Sequence, residues 1–265
     1  MTCASSGAQR ETVMNGKLAA ALDLRTLANT PHLYGIGPIE ELRGEATIAD
    51  GRPSLARVGP DGAVRVAESF EAGVPFFVWA EIPAWQTVSV PAELRTFAEL
   101  EVFVPRAAAS VGLDPQRPLP FLIRGRQDLI EFHVLNRIGD APHGMEMHRT
   151  IQVVFELAQA ETIMVGFHSP IHRGIFTPMD STIHIHFQTA DNSKSGHVQT
   201  LELGQRLVAR SSVGMRSSRT TSWEIASSGG RKPHYADDAN STSLSDYPIR
   251  DRRGDSYAQG RSACT

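Results

Sequence analysis

The sequence TIHIHFQTADNSKSGHVQTLEL (182–203) carries the strongest structural pattern of the chain. Apolar and polar residues alternate strictly in TIHIHF, which is typical of a β-strand with one face against a core. The polar segment TADNSKSG supplies turn-forming residues, and GHVQTLEL begins a second strand. The segment therefore predicts a β-hairpin centred near Asn192.

Three histidines of this hairpin are predicted to share one face. Alternation puts His184 and His186 on the same side of their strand, about 6.5–7 Å apart. His197 then lies opposite His186, where facing Cβ atoms are about 4.5–5.5 Å apart. Three imidazoles with an open fourth position are typical of a catalytic zinc site. A metal site is therefore predicted, and a half-buried polar strand face without a metal is the alternative.

Zinc is the metal that this ligand set favours, although imidazole also suits iron, nickel and copper. A cupin-like site is the nearest alternative arrangement. Cupins generally place a glutamate soon after the histidine pair, where this chain has Ala190, and their third histidine follows a longer gap. The sequence therefore favours the hairpin site.

Short β-like runs occupy most of the chain before the hairpin. They are EATIADG (45–51), AVRVAESF (63–70), VPFFVWAEI (74–82), QTVSV (86–90), PFLIR (120–124), LIEFHVLNR (129–137), TIQVVFEL (150–157) and TIMVGF (162–167). Asp50-Gly51 and Asp61-Gly62 are turn pairs suited to hairpins. Two helices are expected, over 16–28 and over 92–112, the second ended or bent by Pro105.

This pattern predicts an α+β fold that is mainly β, either as one β domain or as two stacked β-rich units. The folded domain is expected over 16–210. Residues 1–15 are small and polar and are predicted to be a disordered N-terminus. Residues 226–265 contain no Val, Phe, Met or Trp and are predicted to be a disordered tail.

The bulk composition narrows the class of partner. The 265 residues are 41% hydrophobic and 21% charged, with a formal net charge of −3, so no basic excess predicts binding to nucleic acid or a membrane surface. No apolar run resembles a signal peptide or a transmembrane helix. Cys3 and Cys264 sit at the two ends, which suits a cytoplasmic protein without disulfides. A small-molecule partner is therefore expected.

Four segments resemble the acetolactate decarboxylase family, in the family's order. YGIGPIEELRGEATIADGRP (34–53) is similar to its glycine-rich segment and Gly-Glu strand, and VPFFVWAEI (74–82) to its Pro-Phe strand. VVFELAQAETIMVGFHSP (153–170) is similar to a strand pair, and HIHFQTADNSKSGHVQTLEL (184–203) to the zinc-binding hairpin. The resemblance runs from about residue 30 to 205. It implies mixed or antiparallel sheets in two units, about 30–115 and 116–210, with the metal site between them.

The resemblance also implies roles for individual residues. His184, His186 and His197 match the zinc ligands, Glu45 matches a carboxylate beside the metal, and Arg137 matches an arginine that faces the substrate. The implied reaction is metal-dependent decarboxylation of a 2-hydroxy-3-oxo acid through a metal-stabilised enediolate. With 2-acetolactate, the products are acetoin and carbon dioxide. Arg137 would pair with the substrate carboxylate, and Glu45 would return a proton to carbon.

The chain departs from the family pattern at several places. Gly37-Pro38-Ile39 stands where the family usually has Gly-Thr-Phe. The family's C-terminal active-site glutamate has no clear match, since Glu202 is too close to the hairpin and Glu224 is the other acidic residue considered. Two alternative functions are considered. One is a related metal-dependent lyase or isomerase for another keto acid of secondary metabolism. The other is a non-catalytic metal- or ligand-binding relative. A homodimer is left open.

Overall fold

Strands dominate the computed structural model, which describes residues 2–91, 93–204 and 222–226. The strands are β1 (Thr2–Ser6), β2 (Leu22–Asp23), β3 (Leu33–Pro38), β4 (Glu45–Ala49), β5 (Arg52–Val58), β6 (Val64–Ala67), β7 (Gly73–Val74), β8 (Phe77–Glu81), β9 (Trp85–Val88), β10 (Leu119–Leu135), β11 (Gln152–His168), β12 (Ile183–Thr189), β13 (Ser195–Leu203) and β14 (Ser222–Ala226). The α-helices are α1 (Gln9–Asn15), α2 (Phe97–Ser110) and α3 (Met145–Thr150), and 3-10 turns span Leu24–Leu27 and Glu40–Leu42. The predicted mainly β fold is confirmed.

Two antiparallel sheets contain most of these strands. The first has the order β1-β8-β3-β4-β5-β6, and the second has the order β11-β12-β13-β10-β14-β9. Since β10 also pairs with β11, the four strands β10 to β13 close into a ring of pairings. β2 and β7 form a separate two-stranded pair.

Two long strands replace four shorter predicted ones. β10 and β11 each contain 17 residues and are paired along their whole length. The polar residues that interrupt the apolar pattern stay in the ladder, with Arg126 opposite Glu161. Backbone pairing does not require apolar side chains, so the break in hydrophobicity did not mark a break in the strand.

Side chains alternate between the two faces of β4 and of β12. As a result, the polar side chains of one strand face those of the other, across the two sheets. Ala46 and Ile48 pack in the core of the first sheet, so Glu45 and Thr47 lie on its other face. Ile183, Ile185 and Phe187 pack in the largest core cluster, so His184 and His186 lie opposite them. The two polar faces meet, as the contact between Thr47 and His186 shows.

Helix α2 confirms the predicted second helix with shorter bounds. Thr96 and Glu99 form a capping box at its start, and Leu100 and Val104 are fully buried against the second sheet. Pro105 lies within the helix and does not end it.

Residues 2–15 include a strand and a helix, contrary to the prediction that 1–15 is disordered. β1 pairs with the edge of β8, Cys3 opposite Ala80, and α1 follows it. Cys3 is only 4% exposed, and burial raises the pKa of its thiol to about 12. Because the strand that stabilises this segment is distant in sequence, local composition gave no sign of it.

The helix predicted over 16–28 is absent from the structure. Leu22–Asp23 pairs with β7, and only the 3-10 turn Leu24–Leu27 is helical. The Asp23 carboxylate accepts a hydrogen bond from the backbone N–H of Arg25, a local contact that competes with continuous helix.

The predicted tail, 226–265, lies outside the described residues except for Ala226 at the end of β14. Each helix in the described part of the chain is too short or too polar to cross a membrane.

Candidate metal centre

The three hairpin histidines converge on one point. His184 Nε2 lies 3.1 Å from His186 Nε2 and 3.2 Å from His197 Nδ1. One ligand atom from each ring lies within 4.8 Å of the other two. A zinc ion with Zn–N distances of about 2.0–2.1 Å and tetrahedral angles would separate its nitrogen ligands by about 3.3–3.4 Å. The predicted triad therefore has the spacing that one ion requires.

The hydrogen bonds made by the outer nitrogens of His184 and His186 show which nitrogens of these rings remain to bind an ion. His184 Nδ1 lies 2.7 Å from the Phe176 carbonyl, and His186 donates a hydrogen bond to the Ala46 carbonyl. A carbonyl only accepts, so both rings carry their proton on this outer side. Their inner Nε2 atoms are then lone pairs facing each other, an arrangement that a cation stabilises.

Burial keeps these rings neutral. Desolvation lowers the pKa of His184 to about 4 and the pKa of His186 and His197 well below the ordinary value. Neutral imidazole is the form that binds a metal. The donor set therefore fits a divalent cation with nitrogen ligands.

The hairpin forms with the predicted register, His186 opposite His197. Asn192 has a positive φ of 57°, and the Asp191 carboxylate accepts hydrogen bonds from Thr189 Oγ1 and from the backbone N–H and hydroxyl of Ser193. These contacts hold the pKa of Asp191 at about 2. The polar turn thus fixes how the two histidine-bearing strands align.

Gly196 allows β13 to approach β10 closely beside His197. A Cβ at this position would lie 2.6 Å from Phe132 Cδ2 and 2.8 Å from the His133 carbonyl oxygen. Any side chain here would therefore displace the strand that presents His197.

Glu45 lies beside the triad, as the resemblance implies. Its Oε2 is 3.8 Å from His186 Nε2, and the residue is only 1% exposed. Burial raises the pKa of the Glu45 carboxyl well above its ordinary value, although the Leu135 backbone N–H donates a hydrogen bond that acts the other way. Burial therefore favours the protonated form of this carboxyl, and its Oε1 has no hydrogen-bond partner in the described part of the chain.

His133 is a fourth histidine of the site that the sequence did not single out. Its ring stacks on His197 with centroids 4.5 Å apart, and its Nε2 lies 3.7 Å from Glu45 Oε1. The alternation in LIEFHVLNR contained the signal. Phe132 and Val134 face the core, so His133 faces the same way as the triad.

Comparison with known proteins identifies the family. Residues 8–219 match the model of the family described as alpha-acetolactate decarboxylase. The chain belongs to this family. The resemblance carried by residues 34–53 and 184–203 is thereby confirmed, and the family is one of carboxy-lyases. No curated protein sequence matches the chain.

Solved acetolactate decarboxylase structures have the same fold. The enzyme from Bacillus subtilis strain 168 is 16% identical, with 90% of this chain and 91% of that chain covered and a TM-score of 0.64. The enzyme from Bacillus subtilis subspecies spizizenii is 17% identical, with coverage of 90% and 91% and a TM-score of 0.65. A Staphylococcus aureus protein of unknown function, similar to alpha-acetolactate decarboxylase, is 15% identical, with 89% of each chain covered and a TM-score of 0.65.

The arginine that the decarboxylase resemblance assigns to the substrate is buried and already paired. Arg137 is 7% exposed, and its Nη1 lies 2.9 Å from Glu41 Oε2. Its Nη2 donates to the Ala141 carbonyl at 2.9 Å. These contacts involve the 3-10 turn Glu40–Leu42 and the loop after β10, and not the imidazoles.

The two glutamates considered for the family's C-terminal position do not contact the triad. Glu224 on β14 pairs with Arg124 at 3.2 Å, and Glu202 is exposed on β13 and bridges to Thr96. Glu45 is therefore the carboxyl that accompanies the three histidines in the described part of the chain.

Proposed function

We propose that the protein catalyses metal-dependent decarboxylation of a 2-hydroxy-3-oxo acid, with 2-acetolactate as substrate and acetoin and carbon dioxide as products. The observation that carries the proposal is the convergence of three imidazole nitrogens beside a buried carboxyl, in a chain of this family. The metal is zinc, which favours nitrogen ligands in tetrahedral geometry.

His184, His186 and His197 would hold the ion. When bound, a divalent cation supplies Lewis acidity to the hydroxyl and ketone oxygens of the substrate. Three neutral imidazoles leave its double charge undiminished, which thiolate ligands would not. The carbonyls of Phe176 and Ala46 fix the orientation of two of these rings through their outer N–H groups.

Glu45 would donate the proton that the product carbon requires. The bond between C1 and C2 of the substrate breaks, carbon dioxide leaves, and the electron pair remains in an enediolate. The Glu45 carboxyl then donates its proton to C2, which gives the neutral hydroxy ketone, and solvent restores the proton to the carboxylate. Burial supports this role because it favours the protonated form of the acid before the reaction.

Arg137 would supply positive charge beside the substrate carboxylate. Two of its terminal donors are used by Glu41 and Ala141, so these two contacts orient the guanidinium, and its remaining donors are left for the anion. The low exposure of Arg137 strengthens its electrostatic effect, because a nearby anion would be poorly screened by water.

The test is release of acetoin and carbon dioxide from racemic 2-acetolactate by protein of measured metal content, with and without a chelator. Release that the chelator abolishes and added zinc restores is the expected result. No release from fully zinc-loaded protein would reject the proposal. Turnover of a different keto acid under those conditions would indicate a related lyase or isomerase, and full metal occupancy with no turnover of any such acid would indicate a binding protein.

A further inference from the structure

The strand that carries His133 is paired along both of its edges. In the backbone register, His133 lies opposite Val154 of β11 and opposite His197 of β13. The register between β10 and β13 shifts between Glu131 and Phe132, just before His133. Irregularities of this kind often lie beside active sites, where they change the direction of a side chain. The backbone of His133 is therefore fixed by two neighbouring strands and does not depend on a loop.

The ring of His133 packs inside the candidate metal centre. It is 5% exposed, and the angle between its plane and that of the His197 ring is 22°. Its Nε2 lies 3.7 Å from Glu45 Oε1, and Glu45 Oε2 lies 3.8 Å from His186 Nε2. The Glu45 carboxyl therefore lies between two histidines, with a different oxygen near each.

The other nitrogen of His133 indicates where the ring carries its proton. Nδ1 is buried without a hydrogen-bond partner among the described residues. A buried N–H without an acceptor is rarer in proteins than a buried acceptor without a donor, so the proton of the neutral ring is on Nε2. In a doubly protonated ring Nε2 carries a proton as well. His133 Nε2 is therefore a donor in either state, and the carboxyl oxygen near it is an acceptor.

The two groups are close enough to bond after a small adjustment. A separation of 3.7 Å is about 0.7–0.8 Å longer than a typical N–H···O hydrogen bond. Glu45 Oε1 has no other hydrogen-bond partner in the described part of the chain, so a bond to His133 would satisfy a buried acceptor. Hydrogen bonds between catalytic groups are often long without substrate and shorten when substrate binds.

We propose that His133 is a positioning residue for Glu45, whose Oε1 accepts a hydrogen bond from His133 Nε2–H so that Oε2 is held towards the candidate metal ligands. The inference rests on the proposed function, in which Glu45 protonates C2 of the substrate. It identifies the atom that does so. Because Oε1 accepts from His133, the acidic proton is carried by Oε2, the oxygen beside His186.

The alternative is that His133 only packs its ring against His197. Two substitutions separate the alternatives, since phenylalanine keeps an aromatic ring without a donor, and glutamine keeps an N–H donor of similar reach without the ring. With zinc-loaded protein and 2-acetolactate, we expect His133→Phe to lower kcat at least about tenfold, as for a lost hydrogen bond to a charged group. KM should change little, because Glu45 acts after substrate has bound. His133→Gln should recover most of kcat, and the reverse order of the two variants would overturn the inference.

A double-mutant cycle shows whether His133 acts through Glu45. In a Glu45→Gln background, His133→Phe should change kcat by about twofold or less, because two residues that act as a unit do not contribute independently. The control is His168→Phe, since His168 is a buried histidine of β11 whose Nε2 lies 3.1 Å from the Pro115 carbonyl. Its kcat should equal that of wild type. Equal losses from His133→Phe in both backgrounds, or an equal loss in the control, would overturn the inference.

Nitrogen NMR of protein with labelled histidines tests the donor without any turnover. The shifts of the two ring nitrogens differ according to which of them carries the proton. The His133 signals would be assigned by their loss in His133→Gln. We expect the proton on Nε2, and a proton on Nδ1 alone would reject the hydrogen bond to Glu45 whatever the kinetics show.

The proposed function and the role of His133 fail in different ways. If fully zinc-loaded wild type releases no acetoin, both fall. If wild type is active and Glu45→Gln is impaired but His133→Phe is not, only the role of His133 is rejected. Zinc content and unfolding temperature would be measured for each variant. If His133→Phe is poorly folded, His133→Met, which also fills the space without a donor, takes its place.

Discussion

The Thr47 hydroxyl lies 3.3 Å from His186 Nδ1, and through this contact a strand of the first sheet touches a candidate ligand carried by the second. Ser195 Oγ lies 3.1 Å from the same hydroxyl and 2.7 Å from the Phe187 carbonyl. The orientation of His186 is therefore set by both sheets together.

Replacing Thr47 with valine should weaken metal binding about tenfold, because outer contacts of a ligating histidine orient the ring and raise its basicity. Valine keeps the shape and loses the hydroxyl. Competition with a chromophoric zinc chelator would measure the affinity. Ser54→Ala is the matched control, since Ser54 faces Thr47 on β5 but bonds to Gln188 and Asn192. Equal affinity of Thr47→Val and wild type would show that the contact does not support the ligand.

Replacing His186 with alanine should abolish metal binding at stoichiometric concentration, since two nitrogens cannot hold the ion as three do. Elemental analysis of dialysed protein gives the metal content. His32→Ala is the control because His32 lies on the surface beside Asp50. Full occupancy in His186→Ala would contradict the triad.

Replacing Glu45 with glutamine should lower kcat by about 10²- to 10⁴-fold, the usual effect of losing a general acid. The amide keeps the shape of the carboxyl but has no proton to give. Because burial disfavours the charged carboxylate, the unfolding temperature of the metal-free variant should equal or exceed that of wild type. Turnover assays and thermal unfolding test both expectations, with the exposed Glu40→Gln as control. Wild-type turnover in Glu45→Gln would exclude Glu45 as the acid.

The hairpin turn should lose stability in acid. The folded-state pKa of Asp191 is about 2, below the ordinary 3.8, so its contribution to the free energy of unfolding is complete above about pH 5 and disappears as the pH falls through 2. Asp191→Asn removes the charge and retains an acceptor. The difference in unfolding temperature between the two proteins should therefore shrink from pH 5 to pH 2. A difference that does not vary with pH would show that the charge plays no part.

The hairpin and its triad could be predicted because their information is local. The spacing of His184 and His186 fixes a shared face, and the polar turn around Asn192 fixes the register of His197. Glu45 was assigned from family resemblance, and alternation along β4 explains why it faces the histidines.

The features that were missed depend on contacts between distant segments. His133 joins the site only because β10 pairs with β13, and β1 is a strand only because β8 offers an edge. In the same way, nothing near Arg137 in the sequence indicates that Glu41 forms an ion pair with its guanidinium. Pairing between distant segments determines these positions, and the local sequence pattern does not show which segments pair.

The buried thiol of Cys3 can be used to measure how often the edge strand β1 opens. With a pKa of about 12 and 4% exposure, Cys3 is nearly all thiol at neutral pH and shielded from alkylating reagents. In a Cys264→Ser background, the rate at which iodoacetamide labels Cys3 would therefore time how often β1 detaches from β8. Slower labelling after zinc is added would show that metal binding also stabilises the pairing of β1 with β8 at the edge of the first sheet.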